Sequence, residues 1–434
     1  MNKKIISFIT CLTVLSLILT GCAQAAAEAE VEQPAAEPEA AVEEVTQEPT
    51  TITFWHTYSE NSAENDMLVN TLIPIFEADN PDIKVETLIV PWEDFRSKVF
   101  TSIAGGVAPD LARVDIIWVP ELADMGALVA LDENMDDFAS FTDLVFPGPL
   151  STNAWAGHYY GLPLDTNTKT WIYNKAMYEE AGITPPTSFD EMLGQCEAMK
   201  AAYPDGYYFA TDGTFAWVTL PWIWSFGGSI TDDAITTATG YLNSPETVAA
   251  YEALKALYDN DCIAPVIMGS GIDVFTGYAQ DSYASLDNGP WTFPIIESQF
   301  PDKEISASPF PAGPGGSINV VGGEDVVLFE QSENKEAAMQ FMRFLLSEEY
   351  QLKMAEVGQI PVLLDAINSE YFQNHPYYGV FLQQLTTSKS RTAHPKWEQM
   401  DGILTDAGQY ILRGEKTAQE ALDEAAAQID ALLQ

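Results

Sequence analysis

Thr51-Ile52-Thr53-Phe54-Trp55-His56-Thr57-Tyr58 divides this chain into two unlike parts. Ahead of it lie an apolar leader and an acidic low-complexity run. Beyond it, apolar periodicities continue to the last residues. Within the stretch, Ile52 and Phe54 alternate with Thr51 and Thr53, and β-branched and aromatic residues dominate, which predicts a strand. His56 and Tyr58 stand two apart and share a face at its far end, with Trp55 directed the other way, into the core. Ligands of open α/β sheets bind beyond the carboxyl ends of strands, so His56 and Tyr58 are the first candidate binding residues.

The residues that follow repeat the alternation of helix and strand. Met67, Leu68, Leu72, Ile73, Ile75 and Phe76 form a helical stripe within 62–80, which Asn80-Pro81-Asp82 ends. Ile83 to Val90 alternates as a second strand. Phe95, Val99, Phe100 and Ile103 mark a helix from Trp92 to Ala104, closed by Gly105-Gly106. Pro109 to Asp115 reads as a third strand, and Asp115 at its end joins the candidate site. Strand, helix, strand, helix, strand at this spacing predicts an α/β fold with parallel pairing.

With 434 residues the chain exceeds a single core. Its 19 Lys+Arg against 64 Asp+Glu give a net charge of −45, which repels nucleic acid and anionic lipid headgroups. The histidines, at 56, 158, 375 and 394, show no metal-ligand spacing, and neither a nucleophile elbow nor a Walker loop is present. Pro309 to Gly316 is glycine-rich but lacks the lysine of a phosphate loop, and its prolines remove donors. A glycosidase carboxylate pair is always available among 64 acidic residues and therefore discriminates nothing. Neither metal, cofactor nor enzymatic activity is expected. The chemistry on offer is aromatic surface beside polar groups, which suits carbohydrate: pyranose C–H faces stack on indoles while hydroxyls bond Asp, Asn and Arg. Of the cysteines, Cys196 and Cys262 are the two in the body. They either pair or remain buried thiols; spacing alone does not decide.

At the N-terminus, Lys3 and Lys4 precede an apolar run from Ile5 to Leu19, too short to span a membrane and right for a signal peptide over 1–21. Leu19-Thr20-Gly21-Cys22 resembles the lipobox of bacterial lipoproteins, which implies cleavage before Cys22, diacylation of its sulfur, and anchoring of the chain at a membrane in the cell envelope. Ala23 to Thr50 carries eight glutamates, no lysine and no arginine, and is interrupted by Pro34, Pro38 and Pro49. Residues 22–50 therefore read as a lipidated cysteine and a disordered acidic tether.

The ordered motifs of the body resemble family 1 extracellular solute-binding proteins, the sugar-binding subunits of ABC importers. They are Ile52-Thr53-Phe54-Trp55-His56, Phe76 to Val85, Ala104 to Leu111, Met125-Gly126-Ala127-Leu128, Gly161-Leu162-Pro163, Ile172-Tyr173-Asn174-Lys175, Asn288-Gly289-Pro290-Trp291 and Gly322-Gly323. Each is short, but they fall in the family's order over almost the whole body. The resemblance implies a two-lobed periplasmic-binding-protein fold, each lobe a mixed sheet flanked by helices, joined by crossover hinges. It places the first lobe at 51–164 and 311–360 and the second at 165–310 and 361–434. It implies a monomer that captures a carbohydrate and hands it to the transmembrane permease. A sugar-sensing receptor or adhesin is the other class open to this fold.

The same resemblance supplies most candidate ligand contacts. Asp165 and Asn167 fall in the polar stretch crossing between lobes. Trp222 and Trp224 precede Phe226-Gly227-Gly228, where the family lines its second lobe; Trp217 reads equally as a core residue of the same helix. Trp291 matches the tryptophan that stacks on sugar, and Gly323 brings backbone near the ligand. Arg391 is suited to vicinal hydroxyls, with a surface ion pair as its competing reading.

Overall fold

A computed structural model describes residues 48–434. The signal peptide, Cys22 and the tether up to Gln47 lie outside the described residues. Among those described, the strands in chain order are β1 (Thr50–His56), β2 (Ile83–Ile89), β3 (Leu111–Asp115), the hairpin of β4 (Ala154–Trp155) and β5 (His158–Tyr159), β6 (Gly161–Thr168), β7 (Thr170–Tyr173), β8 (Ser285–Asn288), β9 (Ser306–Ser308), β10 (Val320–Leu328) and β11 (Lys389–Ser390). They build a six-stranded sheet ordered β11-β10-β3-β1-β2, with β6 also on β10, and a three-stranded sheet ordered β8-β7-β9. Helices flank both, giving the two-lobed α/β architecture.

β1 runs parallel to β2 and β3, as their helical connections require. β10 returns antiparallel against β3 and β6, which makes the large sheet mixed. The first connection is helical over Ala63–Asp79, with Ser62 accepting from Asn65 N–H at its start and a π-turn over Leu68–Leu72. The Trp92–Gly105 helix ends at Gly106, whose φ of 71° lets its N–H reach back to the last carbonyls. Ser188 caps the Phe189–Ala202 helix, and Thr417 with Glu420 forms a capping box for Ala418–Leu433.

The period-2 register of β1 corrects one expectation. Ile52 and Phe54 face the core, so His56 follows them in and is 0% exposed, its ring 5.8 Å from Phe54 and 5.1 Å from Tyr58. Burial, helped by Arg113, lowers its pKa to about 4, so it is neutral, and its side chain lies beneath the cleft rather than among the lining residues. Trp55 lies on the opposite face, as expected, half-buried against the core cluster of Phe95, Val99 and Trp118, with the Lys98 ammonium 5.3 Å from its ring.

The crossover is tighter than a polar loop. Asp165 to Thr168 continue β6 without interruption and are buried, because each backbone position pairs with β10 from Glu324 back to Val321. Lys169 alone then separates β6 in the large sheet from β7 in the small one. The chain returns between β9 and β10. Lys389–Ser390, in a segment assigned by sequence to the second lobe, adds to the edge of the large sheet beside β10. The Trp397–Leu412 and Ala418–Leu433 helices pack on each other and on the Ala216–Ser225 and Pro245–Asp259 helices. No described helix is long and apolar enough to cross a membrane.

Cys196 and Cys262 are joined by a disulfide, with Cα atoms 5.7 Å apart across 66 residues of sequence. It ties the Phe189–Ala202 helix to the segment after Pro245–Asp259, within the core cluster that holds Trp171 of β7. Closing a loop of this length restricts the unfolded chain, and such bridges contribute about 2–4 kcal/mol. The Cys196→Ser/Cys262→Ser double variant should therefore unfold at clearly lower denaturant concentration. An unchanged midpoint with unchanged slope would show that the bridge adds nothing.

Candidate ligand-binding cleft

A cleft of about 650 Å3 opens where the two sheets meet. That volume is in the range of small-molecule sites. Strand ends supply one wall: Thr57 and Tyr58 after β1, Arg113 and Asp115 on β3, and Asp165 and Asn167 on β6. Trp217 and Trp291 add an aromatic wall, and the C-terminal segment adds Arg391, Glu398 and Asp401.

Arg113 organises the floor. It is the only charged residue of Leu111–Asp115 before the last position, and it is buried. Its guanidinium lies 3.0 Å from Asp165 and 2.7 Å from Glu324, donates to Thr57 Oγ1 at 3.0 Å, and sits 4.4 Å from the Tyr58 ring centre. Burial works against its charge, but the carboxylates, Glu324 foremost, outweigh it and hold the pKa well above the ordinary arginine value. Burial likewise raises Glu324, only partly offset by Arg113. Tyr58 is raised well above the phenol range by burial and exchanges hydrogen bonds with the Gln359 carboxamide.

A second ion pair joins chain ends far apart in sequence. Arg391 donates to Asp115 at 2.5 Å, and Asp115 also accepts from the Ile117 N–H. The Arg391 guanidinium lies 5.3 Å from the Trp217 ring centre, so the pair stands inside the cleft rather than on the open surface. Trp217 and Trp291 stack with centroids 6.5 Å apart and planes inclined by 29°.

The glycines of β10 make this approach possible. A Cβ on Gly322 would stand 2.4 Å from Asn167 Oδ1 and 2.5 Å from the Trp217 ring. Gly323 takes φ 137°, and a Cβ there would stand 2.4 Å from the Asp165 carbonyl oxygen. Asn167 is 9% exposed, and its Oδ1 has no hydrogen-bond partner among the described residues.

The structure thus gathers Tyr58, Asp115, Asp165, Asn167, Trp291, Gly323 and Arg391 around one cavity. Trp222 and Trp224 are not there. Trp222 is 1% exposed and packs on Phe189, Phe209 and Phe310; Trp224 is buried among the residues of the neighbouring core. The reason is helical geometry: Trp217 stands at the start of the Ala216–Ser225 helix, Trp222 is about 140° round from it, and Trp224 shares its face but lies roughly 10 Å further along. The helix points its N-terminal end at the cleft, whereas the sequence reading favoured its C-terminal end. Arg113 was also missed, although a charge inside an apolar strand is costly unless paired and is itself a signal. Glu398 and Asp401 carried no such mark, being ordinary polar positions of an amphipathic helix.

The model for bacterial extracellular solute-binding proteins matches residues 71–379. The chain is 27% identical over 384 residues to a binding protein of Brucella abortus, covering 87% of this chain and 92% of that one. It is also 27% identical over 384 residues to the maltotriose-binding protein of Pyrococcus abyssi, covering 85% and 78% respectively. Among solved structures, the ABC transporter solute-binding protein of Thermotoga lettingae, bound with α-D-tagatose, aligns with a TM-score of 0.80 at 27% identity, covering 88% of this chain and 100% of that chain. A family match over most of the body, on a fold whose two sheets meet at a cleft, has one consequence: this chain belongs to the bacterial extracellular solute-binding proteins.

Proposed function

We propose that this protein is the substrate-binding subunit of an ABC importer, capturing a di- or oligosaccharide between its lobes and delivering it to the transmembrane permease. It acts as a monomer, held at the membrane by a diacylated Cys22, with the body facing the periplasm or exterior. The observation that carries the sugar assignment is the stacked Trp217–Trp291 pair beside Asp115, Asp165, Asn167 and Arg391 in one cleft. A pyranose offers an apolar C–H face to the indoles and a rim of hydroxyls to the polar groups. The maltotriose- and tagatose-binding relatives support the same class. Asp115 and Asp165 are each held by a guanidinium, which suits fixed acceptors better than a proton-transferring pair.

Delivery follows from geometry that joins both walls through one ligand. A sugar touching Trp291 on one side and Asp165 on the other favours the closed form by its differential affinity, and the short crossover at Lys169 is where the lobes turn.

Calorimetric titration against a carbohydrate panel tests the proposal. A sugar should bind and raise the melting temperature; a response to amino acids alone, with every sugar silent, would sink it. Trp291→Ala should weaken that sugar by about 10-fold or more, equivalent to about 1.4 kcal/mol, with the fold intact. Gly322→Ala should also weaken it, because the added methyl displaces both Asn167 and Trp217. Wild-type affinity in Gly322→Ala would mean that neither side chain meets the ligand.

A further inference from the structure

The charge lining the cleft is not balanced. Eight carboxylates face Arg113 and Arg391. Arg113 pairs with Asp165 and Glu324, and Arg391 with Asp115. Glu64, Glu93, Asp212, Glu398 and Asp401 form no ion pair among the described residues. Glu398 and Asp401 are three apart on the Trp397–Leu412 helix, so two like charges share one face there. Burial, with the neighbouring Glu398, pushes the Asp401 carboxyl up to about 6 although it accepts from the Ala216 N–H, and burial raises Glu64 as well.

The general acidity of the chain does not account for this. Surface carboxylates are solvated and cost little, whereas Asp401 and Glu64 are partly withdrawn from water and feel Arg391 and Arg113 only from beyond ion-pair distance. A metal ion is a poor fit, since no group of three His, Cys, Asp or Glu among the described residues is close enough to hold one. An anionic ligand is a poorer one, because both guanidiniums already carry carboxylates. The indole faces of Trp217 and Trp291 attract cations as well as C–H groups, and the unpartnered Asn167 Oδ1 lacks a donor.

We infer that the solute is an aminated sugar, whose ammonium sits by Glu398 and Asp401 while its ring stacks on Trp217 and Trp291. This rests on the sugar-binding reading and narrows it. The ammonium supplies the direct ion-pair partner these two carboxylates lack, because Arg391, which acts on Asp401 from a distance, stays engaged with Asp115.

The test uses matched pairs that differ only in an amine for the 2-hydroxyl of each ring: glucose with glucosamine, galactose with galactosamine, and cellobiose with the β-1,4 disaccharide of glucosamine. Each is titrated calorimetrically into the purified protein at low ionic strength, below the pKa of the amine. The amine should bind about 10-fold or more tighter than its hydroxyl partner, and added salt should narrow the gap. In Glu398→Gln/Asp401→Asn an acceptor oxygen remains for Trp118 Nε1 and for the Ala216 N–H, and the amine preference should fall at least about 5-fold. Glu398→Gln alone replaces the double variant if the latter does not fold. Neutral sugars binding as tightly as their amines, or a preference untouched by the substitutions, overturns this inference and leaves the sugar-binding reading standing. If neither member of any pair binds, nor any sugar of the wider panel, both readings fail.

Discussion

A single buried guanidinium holds the floor of the cleft together. Arg113 projects from β3, yet its partners come from elsewhere: Asp165 from β6, Glu324 from β10, Thr57 and Tyr58 from the turn after β1. Four chain segments distant in sequence are thereby fixed to one charge. Removing one member of such a buried pair costs about 3–5 kcal/mol, chiefly because the remaining charge is left without compensation. The arrangement gives little net stability relative to an apolar core; what it does is place the Asp165 and Glu324 carboxylates at the cleft. It also explains why the ends of β1, β3 and β6 converge on one point.

The crossover obeys a similar constraint. Lys169, the lone residue between β6 and β7, is 1% exposed and paired with Asp287 on β8, while Asn319 before β10 donates to the same carboxylate. Burial draws the lysine pKa down against the pull of Asp287. Both crossing segments are thus bonded to one carboxylate of the smaller sheet. The proposed closure would therefore turn about this tied point, by small backbone rotations on either side of it.

How much of this was legible in the sequence depended on whether the signal was local. Alternation in Ile52–Phe54 and Ile83–Val85 gave the parallel start of the sheet, and Ser188 and Thr417 announced their helices, because caps and strand periods act within a few residues. Asp165 and Asn167 fall at the crossover as the motif order implied. His56 was misplaced because a polar-tipped ring was expected to face ligand, whereas β1 keeps its register to the last residue and carries the ring into the core. Trp217, Trp222 and Trp224 occupy one short helix, and only tertiary packing decides which end looks into the cavity. The Arg391–Asp115 pair spans 276 residues and has no local signature at all.

The aromatic wall is rigid for reasons that lie in its glycines. A Cβ on Gly289 would stand 2.1 Å from the Trp291 ring, so the indole folds back over its own turn and is held there. Trp217 is held in the same way against Gly322, and the Lys169 ammonium and Arg391 guanidinium stand 5.6 Å and 5.3 Å from its ring centre. Two large side chains with little rotamer freedom left to lose cost a ligand little to engage. Arg113 fixes the adjoining carboxylates, so both surfaces are held by contacts of their own. Under the proposed sugar-binding role, affinity is then set by how well one solute fits these held surfaces rather than by ordering them.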